Sequence, residues 1–233
     1  MMTTALVDPF RVDAFAADAL YAYWDGSGDE TAARELAAGP EAIGPVLTQW
    51  AGAEVLVSVS DDRDWFVEGR LGDTTTFVAA LQVTRAGTIA RCLSFHCPLV
   101  EPAPVPRSPS AHSARAVLDR YFTNLTAGEF DAACACFSDD CLYSHPPYSA
   151  GAPRAEFHGR AELLAGFHTV RGARPSRLPR IVCGVQDGSH AFIEGVVDGD
   201  PPRGSFVSSL SLDDAGLIRR YVAFYTDSRV QRL

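Results

Sequence analysis

The chain has 233 residues, 47% of them hydrophobic and 21% charged, a composition typical of soluble globular domains. Its net charge of −9 and the absence of any basic run exclude nucleic-acid binding through phosphate contacts. All 20 basic residues are arginine, so the sequence lacks the lysine that Schiff bases, pyridoxal phosphate and the P-loop require.

Targeting and metal-binding signals are weak along the whole sequence. No apolar run approaches the length of a membrane span, and the start MMTTALVDPF lacks the basic residues of a signal peptide. The six cysteines form no CxxC pair, which favours buried free thiols over disulfides or a zinc site. We therefore expect a cytoplasmic protein that contacts no membrane and holds no metal.

The first half of the chain predicts helices followed by strands. Amphipathic spacing indicates helices over residues 12–24, 29–38 and 41–50. Alternating apolar residues then predict strands within residues 55–96.

A proline-rich stretch, residues 101–113, separates this half from the next and predicts a semi-rigid linker. After it, Ser113 is a helix cap and Gly128 a helix stop, which predicts a helix over residues 114–128. The remaining predicted elements are helices at 130–137 and 161–170, and strands at 141–145, 180–185, 190–197, 204–212 and 217–227.

The second half repeats the first. Residues 55–96 align with residues 181–225 with one three-residue insertion, near Asp200, where a hairpin tip is expected. The matched residues include Asp61 with Asp187, Phe66 with Phe192, Glu68 with Glu194, Phe77 with Phe206 and Gly87 with Gly216. The sequence thus predicts two tandem α+β domains, 1–100 and 114–233, joined by the linker 101–113.

The first copy has no predicted counterpart of the strand at 141–145, which indicates a degenerate domain with a structural role. The two halves are expected to form an intramolecular pseudo-dimer. In that arrangement, the strands that carry Arg91, Arg220, Val222 and Phe224 would pack between the halves. Further homodimerisation of the chain stays open.

The opening of the second half, VLDRYFTNLTAGEFDAACACFSDDCLYSHPP, resembles the nuclear transport factor 2-like superfamily, in particular ketosteroid isomerases and SnoaL-type polyketide cyclases. The resemblance covers residues 114–229 and, more weakly, residues 39–100. It implies two cone-shaped domains, each a curved antiparallel sheet packed against helices. Such a fold supports many chemistries, so it does not by itself define an activity.

The resemblance also implies roles for individual residues. Tyr121 stands where the isomerase has its oxyanion-hole tyrosine, and His145 stands where it has a carboxylate base. Ser208 replaces a second, protonated carboxyl group, so steroid isomerisation itself is not implied. A histidine that exchanges protons near neutral pH and a tyrosine donor can still serve proton transfer next to a carbonyl.

Strand alternation predicts which other side chains face the same pocket. The candidate substrate-binding residues are Tyr143, His168, Phe192, Glu194, Phe206, Ser208, Tyr221 and Tyr225. Each has a plainer interpretation: His145 as a surface strand end, Tyr121 as core, His168 as a cover for the sheet. Glu194 recurs as Glu68 in the other copy, which favours a role in the fold or the domain interface.

Two functions remain open at this point. The first is a cofactor-independent enzyme of secondary metabolism, a cyclase, isomerase or dehydratase, acting on a cyclic or polyketide-like small molecule. Its catalytic residues would be His145 as base and Tyr121 as oxyanion donor. The second is a non-catalytic module for small-molecule binding or assembly. Loss of turnover on replacing His145, without loss of folding, would distinguish them.

Overall fold

The computed structural model describes residues 10–24, 35–148, 152–171, 179–197 and 204–226. These residues fall into two compact units, which divide between Leu99 and Val100. Each unit contains a six-stranded sheet with helices, so the predicted pair of tandem α+β domains is confirmed. No helix within the described residues is long and apolar enough to cross a membrane.

The first unit is built around one helix and six strands. Strand order across its sheet is β2-β1-β6-β5-β4-β3. In chain order the elements are β1 (Phe15–Trp24), β2 (Glu35–Ala38), α1 (Pro40–Leu47), β3 (Ala53–Ser60), β4 (Asp64–Leu71), β5 (Thr75–Val83) and β6 (Ile89–Pro98). Short 3-10 turns precede β1 and follow α1.

The second unit has the same sheet, and two helices precede it in the described part of the chain. Its strand order, β8-β7-β12-β11-β10-β9, repeats that of the first unit. The elements are α2 (Ala114–Ala127), α3 (Phe130–Cys134), β7 (Phe137–His145), β8 (Ala155–His158), α4 (Arg160–Val170), β9 (Pro179–Asp187), β10 (His190–Val197), β11 (Gly204–Leu212) and β12 (Ile218–Thr226).

Helix α2 forms where its end signals predict it. The Ser113 side chain accepts a hydrogen bond from the Ala116 N–H, and Gly128 ends the helix in the left-handed region. The apolar side of α2 then packs on the sheet in a core that includes Tyr121, Phe137 and Tyr221.

The first unit corrects the sequence-based prediction for residues 12–24, which form a 3-10 turn and strand β1 rather than a helix. The alanine-rich segment favours a helix by local propensity, but pairing with β6 on one side and β2 on the other overrides it. Residues 35–38 are strand β2, also not helix, and the rest of the predicted helix at 29–38 lies outside the described residues.

Strand β1 is also the counterpart that the first copy was predicted to lack. Phe15 pairs with Ile89 as Phe137 pairs with Ile218, and both strands run parallel to their partner. The sheets are therefore mixed rather than purely antiparallel, because β1 and β7 each insert parallel to the last strand of their unit. Within the residues that the structure describes, the helix pair α2 and α3 is found in the second unit alone.

The proline-rich segment packs along the second unit. Ser108 and Ser189 exchange hydrogen bonds, and a ring nitrogen of His190 lies 2.7 Å from the Val105 carbonyl oxygen. His190 is buried in this arrangement. His112 is not simply solvated, because its Nε2 lies 3.2 Å from the Asp214 carbonyl oxygen. All six cysteines are free thiols, as predicted.

Candidate functional site

Four tyrosines meet between α2 and the inner face of the second sheet, and we call them the tyrosine cluster: Tyr121, Tyr143, Tyr148 and Tyr221. Tyr121 comes from α2, Tyr143 from β7 and Tyr221 from β12. The Tyr121 hydroxyl donates to the Tyr143 oxygen at 3.3 Å, and the Tyr143 and Tyr148 oxygens are also 3.3 Å apart. Three hydroxyls from separate segments thus form one chain.

The rings of the cluster are held by aromatic packing. Tyr143 stacks on Tyr221 with ring centroids 5.4 Å apart, as parallel pairing of β7 with β12 places them side by side. Phe137 and Phe167 meet these rings edge-on. The positions of the cluster hydroxyls are therefore fixed by closely packed aromatic side chains.

Ser208 contacts the tyrosine cluster through Tyr221. Its hydroxyl donates to the Tyr221 oxygen at 3.0 Å. Register explains the contact, since Ser208 pairs with Ala223 and the neighbouring Leu210 pairs with Tyr221. Phe206 and Tyr225 pair on this face too, so four predicted lining residues of β11 and β12 share one side of the sheet.

His145 ends β7 next to the cluster. Its ring is parallel to that of Tyr148 with centroids 4.5 Å apart, and parallel to that of Tyr143 at 6.1 Å. Its Nδ1 lies 2.7 Å from the Pro146 carbonyl oxygen. Because a carbonyl can only accept, Nδ1 carries the proton in the neutral ring, and the lone pair then lies on Nε2.

Tyr121 and His145 are linked through other residues. Tyr143 and Tyr148 connect them, the first by its hydroxyl and the second by its hydroxyl and ring. Tyr148 was missed from the sequence, because it follows the Pro146-Pro147 pair in a segment without periodicity. The donor next to the histidine is therefore Tyr148, followed by Tyr143.

Burial raises the pKa of every tyrosine in the cluster. The pKa of Tyr221 rises to about 12, and those of Tyr121 and Tyr148 rise well above the usual value of 10.0. The pKa of Tyr143 is raised as well, again chiefly by burial. All four hydroxyls thus keep their protons at neutral pH and can donate to an oxygen that gains negative charge.

Arg171 is a second residue that the sequence-based reasoning missed. It follows α4, and its guanidinium carbon lies 5.4 Å from the centroid of the Tyr148 ring and 5.7 Å from that of Phe167. Burial by itself lowers the pKa of Arg171, but the net shift is upward, so the arginine is charged at neutral pH. The only sequence signal was its place after Phe167 at a helix end.

Phe192 and Glu194 do not belong to this surface, which corrects their predicted role. In the pairing of β10 with β11, Ile193 is opposite Ser208, so Phe192 and Glu194 point to the other face of the sheet. Both are buried there, at 0% and 2% exposure. Both faces of β10 are buried, so the alternation of apolar residues did not reveal which side faces α2.

His168 is likewise outside the tyrosine cluster. It is exposed on α4 and packs edge-on against Phe130, with ring centroids 5.3 Å apart. The neighbouring Phe167 is the side chain that enters the core. In this position His168 contacts α3 through Phe130.

The first unit has the equivalent tyrosine in different surroundings. Register places Tyr21 where the second unit has Tyr143, and Tyr23 where it has His145. The Tyr21 oxygen accepts a hydrogen bond from the Trp50 indole at 2.7 Å and lies 2.9 Å from the Ser94 hydroxyl. Trp50 in turn stacks on Phe10. The position of the candidate base is thus a tyrosine in this unit.

Comparison with known proteins agrees with the resemblance stated for the second half. Residues 118–226 match the family model described as a SnoaL-like domain. No curated protein matches the chain significantly.

Solved structures align over about half of this chain. They include a putative ketosteroid isomerase from Kribbella flavida, 22% identical over 51% of this chain and 82% of that one, with a TM-score of 0.39. A putative polyketide cyclase from Sinorhizobium meliloti is 20% identical over 47% and 94% of the two chains, with a TM-score of 0.38. A protein of ketosteroid isomerase-like fold from Catenulispora acidiphila is 15% identical over 49% and 88%, with a TM-score of 0.41. The match to the SnoaL-like domain model lies within the second unit and covers a little under half of the chain.

Proposed function

We propose that the second unit is a cofactor-independent enzyme of secondary metabolism that transfers a proton next to a carbonyl group. Its substrate would be a cyclic or polyketide-like small molecule, and the reaction a cyclisation, isomerisation or dehydration. The observation that carries this proposal is the hydroxyl chain Tyr121, Tyr143 and Tyr148, which reaches the ring of His145.

The proposed reaction begins with His145. Its Nε2 takes a proton from the carbon next to the substrate carbonyl, and the electron pair of that C–H bond moves toward the carbonyl oxygen. Tyr148 or Tyr143 donates a hydrogen bond to this oxygen as it becomes an enolate. Donors that are already oriented stabilise such a charge without reorganisation, which is a large part of enzymatic rate enhancement.

The second step decides the product. The imidazolium returns its proton to another carbon in an isomerisation, or to a departing hydroxyl in a dehydration. In a cyclisation, the enolate carbon attacks a second carbonyl of the same molecule and the proton goes to the new alkoxide. Each route restores the neutral histidine, so no further reactant is needed. The aromatic residues around the cluster suit a planar substrate.

The experiment that tests this proposal follows proton exchange directly. 1-Tetralone, an aromatic ketone with exchangeable protons next to its carbonyl, is incubated in D2O and followed by NMR. We expect the wild-type protein to accelerate exchange above the buffer rate, and His145→Gln to lose about 10²- to 10⁴-fold of that rate, the usual contribution of a general base.

The control is His158→Gln, which changes an exposed histidine on β8. This variant is expected to exchange the ketone protons at the wild-type rate. Exchange that is equally fast in His145→Gln would contradict the assignment of His145 as base. Exchange no faster than buffer in the wild type would contradict the enzyme proposal.

A non-catalytic binding or assembly module is the alternative, and one observation favours it. Tyr121 is only 1% exposed, and its hydroxyl already donates to Tyr143, so part of the cluster has the features of an ordinary packed core. Under this alternative, 1-tetralone binds without proton exchange, and His145→Gln changes neither binding nor folding.

A further inference from the structure

Arg171 lies against aromatic rings, unlike the surface arginines of the second unit that pair with carboxylates. Its backbone N–H completes the end of α4 by bonding the Phe167 carbonyl oxygen at 3.0 Å, which holds the residue against the cluster. Its guanidinium then lies over the rings of Tyr148 and Phe167. The guanidinium charge of Arg171 is thus separated from His145 by one ring, that of Tyr148, on which His145 stacks.

Surface arginines of the same unit are paired with carboxylates. Arg115 bonds Asp119, and Arg219 lies 3.4 Å from Asp140. Within the described part of the chain, Arg171 makes no such ion pair, and its buried Nε has no hydrogen-bond partner. Its neighbours there are aromatic rings and neutral hydroxyls.

An arginine in this position carries an energetic cost that a ligand would relieve. Removing a guanidinium from water is unfavourable unless an anion compensates it, and contacts with aromatic rings offset only part of that cost. A guanidinium also presents parallel N–H groups that match the two oxygens of a carboxylate. The buried Nε is one of the donors that such a pairing uses.

We infer that Arg171 is the anion-binding residue of this site and that its ligands carry a carboxylate group. The inference rests on the proposed function for the location of the site, and it adds the substrate class: aromatic or polyketide-like carboxylic acids. A carboxylate held by Arg171 and Tyr148 would fix the ligand in front of His145. Arg171 would act by binding and positioning, and it takes no part in proton transfer.

The test compares two probes that differ in charge, 2-naphthoate and 2-naphthamide, by calorimetric titration of the full chain. A charge-assisted hydrogen bond contributes about 1.5–3 kcal/mol, so we expect the wild type to bind the acid at least about tenfold more tightly than the amide. Arg171→Met should reduce this preference to about one. Arg171→Lys, which keeps the charge but loses the paired N–H groups, should give an intermediate preference.

Two controls separate this inference from folding and from catalysis. Arg115→Gln removes an exposed arginine at the start of α2 and should leave the preference for the acid unchanged. Thermal unfolding should show Arg171→Met to be no less stable than the wild type, because it removes a charge without a carboxylate partner. His145→Gln should keep the preference for the acid while losing proton exchange of 1-tetralone.

The outcomes are distinct. If the acid binds no more tightly than the amide, if neither probe binds at millimolar concentration, or if Arg171→Met keeps the preference, the inference is wrong. The enzyme proposal would then still depend on the separate exchange experiment. If the acid is preferred through Arg171 but no exchange occurs, the anion site stands and the unit is a binding module.

Discussion

At the scale of single residues, Tyr143 is the centre of the hydroxyl chain. Sequence reasoning assigned the oxyanion donor to Tyr121 and a lining role to Tyr143. The structure has Tyr121 donating to Tyr143, so in the proposed mechanism Tyr121 would act on a ligand through its neighbour. Tyr143 also approaches Tyr148, whose ring contacts His145.

This order of residues makes a prediction about two matched substitutions. Tyr143→Phe should slow proton exchange of 1-tetralone by about 10²- to 10³-fold, as removal of one oxyanion donor commonly does. Tyr121→Phe should slow exchange less, because the Tyr121 hydroxyl donates to Tyr143 and not directly to the substrate oxygen. Both keep the ring, so unfolding free energies should change by only about 1 kcal/mol. A greater loss of exchange rate in Tyr121→Phe than in Tyr143→Phe would show that Tyr121 is the principal oxyanion donor.

At the scale of elements, the joint between an edge strand and a helix is the same in both units. Gly39 precedes α1 and Gly159 precedes α4, at φ values of 76° and 88°. Each N–H bonds a strand carbonyl oxygen, that of Ala19 in the first unit and that of Cys141 in the second. The joint sets where α4, and hence Phe167 and Arg171, meet the sheet.

We expect Gly159→Ala to destabilise the second unit more than Gly128→Ala. Gly128 lies in the left-handed region, where a side chain costs about 1–2 kcal/mol. Gly159, at φ 88° and ψ 152°, lies in a region almost restricted to glycine, where the cost is about 1–3 kcal/mol. A Cβ at Gly159 would also lie 3.0 Å from the Asp139 carbonyl oxygen, whereas one at Gly128 would meet nothing within 4 Å. Urea unfolding measures the difference in unfolding free energy, and equal losses in the two variants would contradict this expectation.

At the scale of the whole molecule, buried tyrosines predict sensitivity to alkaline pH. Burial raises the pKa of Tyr21 in the first unit and of the four cluster tyrosines in the second. A raised folded-state pKa means that stability is complete below the unfolded value of 10.0. It is lost as pH rises through the raised value, which for Tyr221 is about 12.

The expected result is unfolding above pH 10 that accompanies tyrosine ionisation. Each buried tyrosine contributes a fall of about 1.4 kcal/mol per pH unit in the range between its two pKa values. Circular dichroism and phenolate absorbance, recorded together, test this. Tyr221→Phe should make the fall in unfolding free energy shallower. Full ionisation in a protein that retains its structure would refute the expectation.

Much of the second unit was predictable from the sequence because its signals are local. Strands β10 and β11 have the predicted limits, and α2 begins and ends beside its capping residues Ser113 and Gly128. The repeat of residues 55–96 in residues 181–225 also indicated two sheets of one design, which the common strand order confirms. Local propensity, end signals and internal similarity are sufficient for such features.

Other features depended on contacts between distant segments. Strand β1 has alanine-rich, helix-favouring sequence, and only its pairing with β6 makes it a strand. The side of β10 that faces α2 was undetermined because both faces are buried, so the positions of Phe192 and Glu194 followed from pairing with β11.

The candidate site shows the same division between sequence and tertiary structure. The sequence by itself determined the tandem α+β design and indicated Tyr121 and His145 as candidate site residues. Both follow from local patterns, the helix periodicity and a family-like motif. Only the tertiary structure decided that Tyr148 and Arg171 join them, since both lie in segments without periodicity. A long side chain at the end of a helix can reach any of several neighbours, and packing alone selects which.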